Sequence, residues 1–355
     1  MKKTIVLKVN PQKPEKEKIQ IAANFIKKGG LVAFPTETVY GLGADALNPN
    51  AVLDAFKAKR RPLDNPPIVH VADIKDVYRL AKKVPSSAER LMRELWPGPL
   101  TLIFKRSEIV PDVTVSGLDT IAIRMPRHEV ALALIRKSGC PIIGPSANLA
   151  GKPSPTTAEH VLEDLNGKID AVLDAGPTYI GVESTVLDLT VSPPQILRPG
   201  GTPFEVLKRF IKGVRLHPVA FADKEVAVER ARSPGVRHKH YAPQADLIVV
   251  EGELPAVFNK VKELAELWVR EGKKVGVLAT NETVANYGVG VVKSLGSRGD
   301  LASIAKNLFR LLREFDAEEV DVIVAEGIPM EGLGLAVMNR LRKASGYKIV
   351  KAHEN

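Results

Sequence analysis

The chain has 355 residues, 45% hydrophobic and 26% charged, with a net charge of +10 and an isoelectric point near 9.5. Its length points to two domains or one large one. No run of 18 apolar residues occurs, which excludes a transmembrane helix, and the single cysteine, Cys140, excludes an intrachain disulfide, a CxxC pair and a cysteine-based zinc site.

The basic balance favours anionic partners such as nucleotides, RNA or acidic surfaces without choosing among them. The first residues carry only a short apolar run, broken by Lys8. That is too little for a signal peptide, so a soluble, cytoplasmic chain with no membrane partner is expected.

Helical spacing of Ile19, Ala22, Ala23 and Ile26 predicts a helix over 17–28, stopped by Gly29-Gly30. A short strand over 31–34 ends at Pro35. Asn48-Pro49 opens a second helix that runs into the cations Lys57, Lys59, Arg60 and Arg61. Strands are predicted over 68–71, 100–104, 120–124, 141–144, 171–173, 184–189 and 195–198. Helices are predicted over 73–82, 86–95, 128–137 and 156–166. This mixture without strict alternation reads as one α+β or α/β domain with a twisted sheet over residues 1–205, its strand ends feeding loops that gather at one rim.

Residues 206–245 are poor in apolar side chains and contain Ser233-Pro-Gly-Val-Arg-His-Lys-His-Tyr-Ala-Pro243, denser in His, Lys, Arg and Tyr than a spacer requires. From Asp246 the pattern alternates: strands over 246–250, 274–279 and 320–325, helices over 254–270, 300–315 and 334–343. A smaller Rossmann-like parallel α/β domain is expected over 246–355.

Gly41-Leu-Gly43-Ala-Asp-Ala46 nearly spells a dinucleotide fingerprint, but Gly41 lies seven positions past the end of the preceding strand, so the glycines are read as a tight turn. No P-loop exists. Gly144-Pro-Ser146-Ala-Asn148 has Asn where a nucleophile elbow needs Gly. Cys140, entering an apolar strand, is read as a small core residue. His238-Lys-His240 has metal-ligand spacing, but its flanking cations oppose metal binding.

Lys57 and Arg60 suit the negative end of a helix dipole. Lys59 and Arg61, two apart, cannot share one helical face. If the helix ends near Lys59, both can turn toward one anion and stabilise phosphoryl or adenylyl transfer. His70 lies between Val69 and Val71 and so faces away from them. Along Thr120-Ile-Ala-Ile-Arg124, alternation puts Thr120, Ala122 and Arg124 on one face, and an arginine so placed can grip a carboxylate through its planar fork.

Six blocks carry a resemblance: Pro35-Thr-Glu-Thr-Val-Tyr-Gly-Leu, Lys59-Arg-Arg61, Asn65-Pro-Pro-Ile-Val-His70, Trp96-Pro-Gly-Pro-Leu-Thr, Arg124-Met-Pro and Gly144-Pro-Ser-Ala-Asn148. In this order the first domain resembles the YrdC-like family. With the second domain and the connecting segment, the chain looks like the long, two-domain threonylcarbamoyl-AMP synthases.

The resemblance implies formation of threonylcarbamoyl-adenylate and pyrophosphate from L-threonine, bicarbonate or CO2, and ATP with Mg2+. A tRNA threonylcarbamoyl transferase complex would act downstream, with tRNA contact possible. The family's KxR and SxN pairs fall on Lys59, Arg61, Ser146 and Asn148. By the same resemblance, Asn65, Thr120, Ser146, Ser154 and Arg198 join them as nucleotide contacts. Tyr241 reaches back from the connecting segment as part of a lid, and Thr38, His70, Arg124 and Ser184 form a threonine pocket. No side chain is assigned to the metal. Arg60 departs from the family, where Gly is frequent. The competing reading from charge alone is an RNA-binding module without catalysis, which the low aromatic content, 5%, disfavours. A carbamoyltransferase-type enzyme would carry zinc-finger and acylphosphatase-like segments that are missing.

Overall fold

Alternation along Thr120–Arg124 decides which way the first sheet faces. Ile121 and Ile123 enter the main hydrophobic core, while Ala122 packs in a separate small cluster with Ile68, Ile103, Val186 and Leu197. Neighbouring strands obey the same parity. Leu100, Leu102, Phe104, Val69 and Val71 go to the core. Thr101, Thr120, Arg124, His70 and Ser184, each an even number of residues from a member of the small cluster, go to the other face. One sheet thus has an apolar face that folds the protein and a mixed face that carries the polar candidates. Each fully buried Leu or Ile on the core face contributes about 1.5–3 kcal/mol.

The computed structural model describes residues 3–224 and 240–353. They divide into two compact units, one of residues 3–150 and 154–220, the other of 151–153, 221–224 and 240–353. Of the connecting segment 206–245, read as a lid, 225–239 lies outside the described residues, and His240 and Tyr241 lie within them.

Strands of the first unit are β1 (Ile5–Lys8), β2 (Val32–Phe34), β3 (Gly41–Asp45), β4 (Val69–His70), β5 (Leu100–Lys105), β6 (Thr120–Arg124), β7 (Ile142–Ile143), β8 (Ala171–Asp174), β9 (Thr185–Asp188), β10 (Gln195–Arg198) and β11 (Arg215–Leu216). They form one mixed sheet in the order β1-β8-β2-β3-β7-β4-β6-β5-β9-β10-β11. β4 and β6 run parallel with His70 in register with Arg124. The helix Lys16–Lys27 buries Ile19, Ala22, Ala23 and Ile26, the spacing that predicted it.

The reading of Gly41-Leu-Gly43 as a turn is wrong. These residues are in β3, antiparallel to β2. A Cβ on Gly43 would stand 2.9 Å from the Val32 carbonyl oxygen, and one on Gly41 would stand 3.1 Å from the Phe34 ring. The glycines are there because two strands and an aromatic ring approach too closely for side chains. The chain reverses earlier, between β2 and β3.

The helix Pro49–Lys59 begins as expected. Asn48 caps it, its side-chain oxygen accepting from the amides of Asn50 (3.1 Å) and Ala51 (3.3 Å). It ends at Lys59, and Arg60 takes the left-handed conformation, φ 51°. A left-handed cap costs a residue with a Cβ roughly 1 kcal/mol, so the position favours glycine. Arg60 is exposed, so Arg60→Gly is expected to raise the unfolding free energy by about 0.5–1 kcal/mol in urea titration, and Arg60→Ala to gain none of it.

The second unit has β12 (Asp246–Glu251), β13 (Val275–Ala279), β14 (Val291–Ser294), β15 (Val322–Glu326) and β16 (Ile349–Lys351), all parallel in the order β14-β13-β15-β12-β16. Helices Leu254–Arg270, Leu301–Ala317 and Leu333–Ala344 connect them. This is the expected small parallel sheet, enlarged by β14 and β16, which were not predicted. Gly332-Leu-Gly334 stands at the start of the last helix.

Candidate active site

The first unit holds three groups of buried polar side chains. The first surrounds Arg124, which is 3% exposed. Its Nε donates to the Gly98 carbonyl at 3.2 Å and its Nη1 to Thr38 Oγ1 at 3.0 Å. Its Nη2 stands 2.7 Å from Glu37 Oε2, an ion pair without the alignment of a hydrogen bond. Thr38 also shares a hydrogen bond with Thr36 at 2.8 Å. The amides of Ile180 and Gly181 hold the carbonyls of Glu37 and Thr38 at 2.9 and 3.1 Å.

His70 lies beside Arg124 on β4, buried, its ring edge-on to Phe34 with centroids 5.8 Å apart. A Cβ on Gly144 would come within 2.5 Å of the imidazole, so glycine there makes room for the ring. Burial, aided by the Arg124 charge, holds the His70 pKa down at about 3. The ring is therefore neutral at physiological pH.

Between pH 6.5 and 3 the unfolded chain binds a proton that folded His70 refuses, so stability is full above the unfolded value and falls as pH falls, by about 1.4 kcal/mol per pH unit for one proton. His70→Gln is expected to flatten this part of the acid limb, measured as the difference in denaturation midpoint from wild type between pH 6.5 and 4.

The second group is built by Lys59, which is 1% exposed. Its Nζ donates to the carbonyl oxygens of Ser146 and Asn148, the latter at 2.6 Å. The same loop is tied to β3 by Leu42 N–H to the Pro145 carbonyl (2.7 Å) and by Ala147 N–H to the Tyr40 carbonyl (2.8 Å). Arg61 does not turn to these carbonyls. Its Nε donates to the Asn65 carbonyl at 2.8 Å and its Nη2 to the Pro66 carbonyl at 3.2 Å, and it lies over the Phe56 ring. Each cation thus shapes one loop, Lys59 the 146–148 segment and Arg61 the 65–66 segment.

The third group joins Ser184, Thr101 and Arg198. The two hydroxyls are 2.8 Å apart, and Arg198 donates through Nε and Nη2 to the Ser184 carbonyl at 3.1 and 3.0 Å. Next to it, Ser154 Oγ donates to Glu183 Oε1 at 2.5 Å. Thr120 is buried on the same face, at the far end of β6 from Arg124. Among the described residues, no group of three or more His, Cys, Asp or Glu side chains is placed to hold a metal ion. The Cys140 thiol is pushed up to about 12 by burial, which removes it as a nucleophile.

A family model described as telomere recombination matches residues 24–200, and one described as the threonylcarbamoyl-AMP synthase C-terminal domain matches residues 204–346. The threonylcarbamoyl-AMP synthase of Pyrococcus abyssi is 53% identical over 98% of this chain and 99% of its own length. That of Bacillus subtilis is 47% identical over 93% of each. The chain belongs to the threonylcarbamoyl-AMP synthase family. A crystal structure of P. abyssi Sua5 complexed with L-threonine superposes with a TM-score of 0.94, covering 99% of this chain and all of that one.

Within the family framework, Thr38, His70 and Arg124 are brought into one group, and Lys59, Ser146 and Asn148 into another. Ser184, expected in the threonine pocket, bonds to Thr101 and Arg198 and not to Arg124. Tyr241 belongs to the second unit, where it is fully buried, stacked on Phe309 at 5.3 Å with the Arg340 guanidinium over its ring. Glu37, Thr101 and Glu183 were missed. Glu37 was quoted within its motif without a role. A carboxylate between two threonines, directly after an apolar strand, is the signal that marks it.

Proposed function

We propose that the chain is an L-threonylcarbamoyladenylate synthase, a nucleotidyltransferase that uses L-threonine, bicarbonate or CO2, and ATP. One observation carries this reading: in a chain of this family, a buried arginine corner made by Arg124, Thr38 and His70 shares a sheet face with polar groups suited to a nucleotide. Arg124 takes the threonine carboxylate through its fork, with Thr38 and neutral His70 around the rest of the amino acid and Ser184 toward the nucleotide side. Lys59 and Arg61, with the loops they hold, face the triphosphate. Asn65, Thr120, Ser146, Asn148, Ser154 and Arg198 complete the nucleotide site.

The threonine amine, once deprotonated, attacks CO2. A C–N bond forms, a proton leaves the nitrogen, and an N-carboxylate results. A carboxylate oxygen of this carbamate attacks the α-phosphorus in line; the bond to the bridging oxygen breaks and pyrophosphate departs with its electron pair. Fixed cations stabilise the added charge. Because the carbamate decomposes in water, burial of the site protects it. ATP enters as its Mg2+ complex, the metal held mainly by the nucleotide. The product passes to a tRNA threonylcarbamoyl transferase complex, with the reaction running in the cytoplasm.

The test is pyrophosphate release from ATP without RNA. It is expected to require both threonine and bicarbonate. Equal release without threonine would sink the synthase reading. RNA binding with a steep salt slope and no ATP turnover would favour the binding module instead.

A further inference from the structure

Glu37 is wholly buried, and neither of its carboxylate oxygens has a hydrogen-bond donor. Its neighbour Arg124 is in a similar position: Nε and Nη1 are used by Gly98 and Thr38, while Nη2 faces Glu37 without an aligned bond. The carboxylate is held where it is. Its backbone carbonyl takes the Ile180 amide at 2.9 Å, and the next carbonyl takes the Gly181 amide at 3.1 Å. A buried ion pair contributes to stability only when its remaining hydrogen-bonding capacity is met, because desolvation of each ion costs several kcal/mol. Unsatisfied buried polar groups in a native fold require an explanation.

A ligand with the opposite arrangement supplies one. An α-amino acid carries a carboxylate and an ammonium group on one carbon. A guanidinium with an unaligned N–H, set directly beside a carboxylate with open acceptors, is its complement. Resting on the reading that Arg124 receives the threonine carboxylate, we infer that Glu37 is the ammonium-binding half of the same pocket and selects amino acids over other hydroxyacids. Without substrate the two side chains neutralise each other. With substrate bound, each exchanges its partner for the opposite charge of the zwitterion, and the ammonium donates into the open acceptors of Glu37. This fixes the nitrogen that later becomes the nucleophile.

The test is equilibrium binding of L-threonine and of 3-hydroxybutyrate, the same skeleton without the amine, to the full chain by calorimetry. Wild type is expected to prefer threonine. Glu37→Gln is expected to weaken threonine binding roughly 10- to 100-fold, as for loss of a charged hydrogen bond. It is expected to leave 3-hydroxybutyrate binding unchanged or tighter, since Arg124 no longer has a competing carboxylate. Glu37→Asp, which withdraws the charge by one methylene, is expected to show an intermediate preference, and it serves as the second variant should the Gln form fold poorly. A parallel loss of both ligands in Glu37→Gln would mean that Glu37 acts only by holding Arg124, and would overturn the inference. A wild-type preference retained in both variants would overturn it as well. Failure of wild type to bind threonine at all would remove the functional reading on which the inference rests.

Discussion

Replacing Arg124 with lysine is expected to leave the protein folded and to cut threonine-dependent pyrophosphate release by roughly 100-fold or more, in the range lost with a catalytic donor. Lysine keeps a positive charge beside Glu37, so the buried carboxylate retains a counter-ion. What it loses is the fork. A single ammonium cannot meet the Gly98 carbonyl, Thr38 Oγ1 and a substrate carboxylate in the directions the guanidinium serves. The loss should appear mainly as a raised KM for threonine. Arg124→Ala is expected to do more damage, because it strands a carboxylate that is 0% exposed; removing one partner of a buried pair costs about 3–5 kcal/mol. Thermal melts beside turnover separate the two variants. If lysine restores full activity, Arg124 acts only as a charge and its role as a carboxylate fork is wrong.

Lys59→Ala is expected to have an effect of similar size by a different route. Its ammonium holds two carbonyl oxygens, those of Ser146 and Asn148, 87 and 89 positions away in the chain. Without it these acceptors lie in a buried place with no charged donor, at a cost of about 1–3 kcal/mol each. The 146–148 loop then loses one of its anchors, and the nucleotide site loses both a cation and its shape. Turnover should fall by about 100-fold or more. Amide exchange at Ala147, whose N–H bonds to the Tyr40 carbonyl at 2.8 Å, should quicken. Lost turnover with unchanged exchange would confine Lys59 to direct phosphate contact.

Parts of this site could be read directly from residue order. The parity of Thr120–Arg124 placed an arginine on a polar face, and the two valines around His70 turned it toward the same face. Helix signals were equally plain: Asn48-Pro49 at one end and a cation cluster at the other fixed where Lys59 would stand. What could not be read were pairings across long separations. Nothing local says that Glu37 meets Arg124 or that Lys59 serves carbonyls in a distant loop. Gly41 and Gly43 misled because glycine serves both turns and close strand approach, and only the neighbouring Val32 carbonyl and Phe34 ring decide between them. The short strands β1, β14 and β16 carry too few alternating positions to be separated from loops. Tyr241 was assigned through the resemblance, and its packing against Phe309 and Arg340 is a tertiary fact without local trace.

The left-handed cap at Arg60 carries a consequence for variation within the family. A single residue there redirects the chain, so that Lys59 enters one loop and Arg61 another although they are two positions apart. The cap acts as a pivot whose angle matters and whose side chain does not. Substitution at this position should therefore be free in chemistry but constrained in backbone: glycine fits at the least cost, asparagine and arginine are accepted, and β-branched residues and proline are excluded. An arginine at the pivot can thus drift away from glycine while both cations beside it keep their directions.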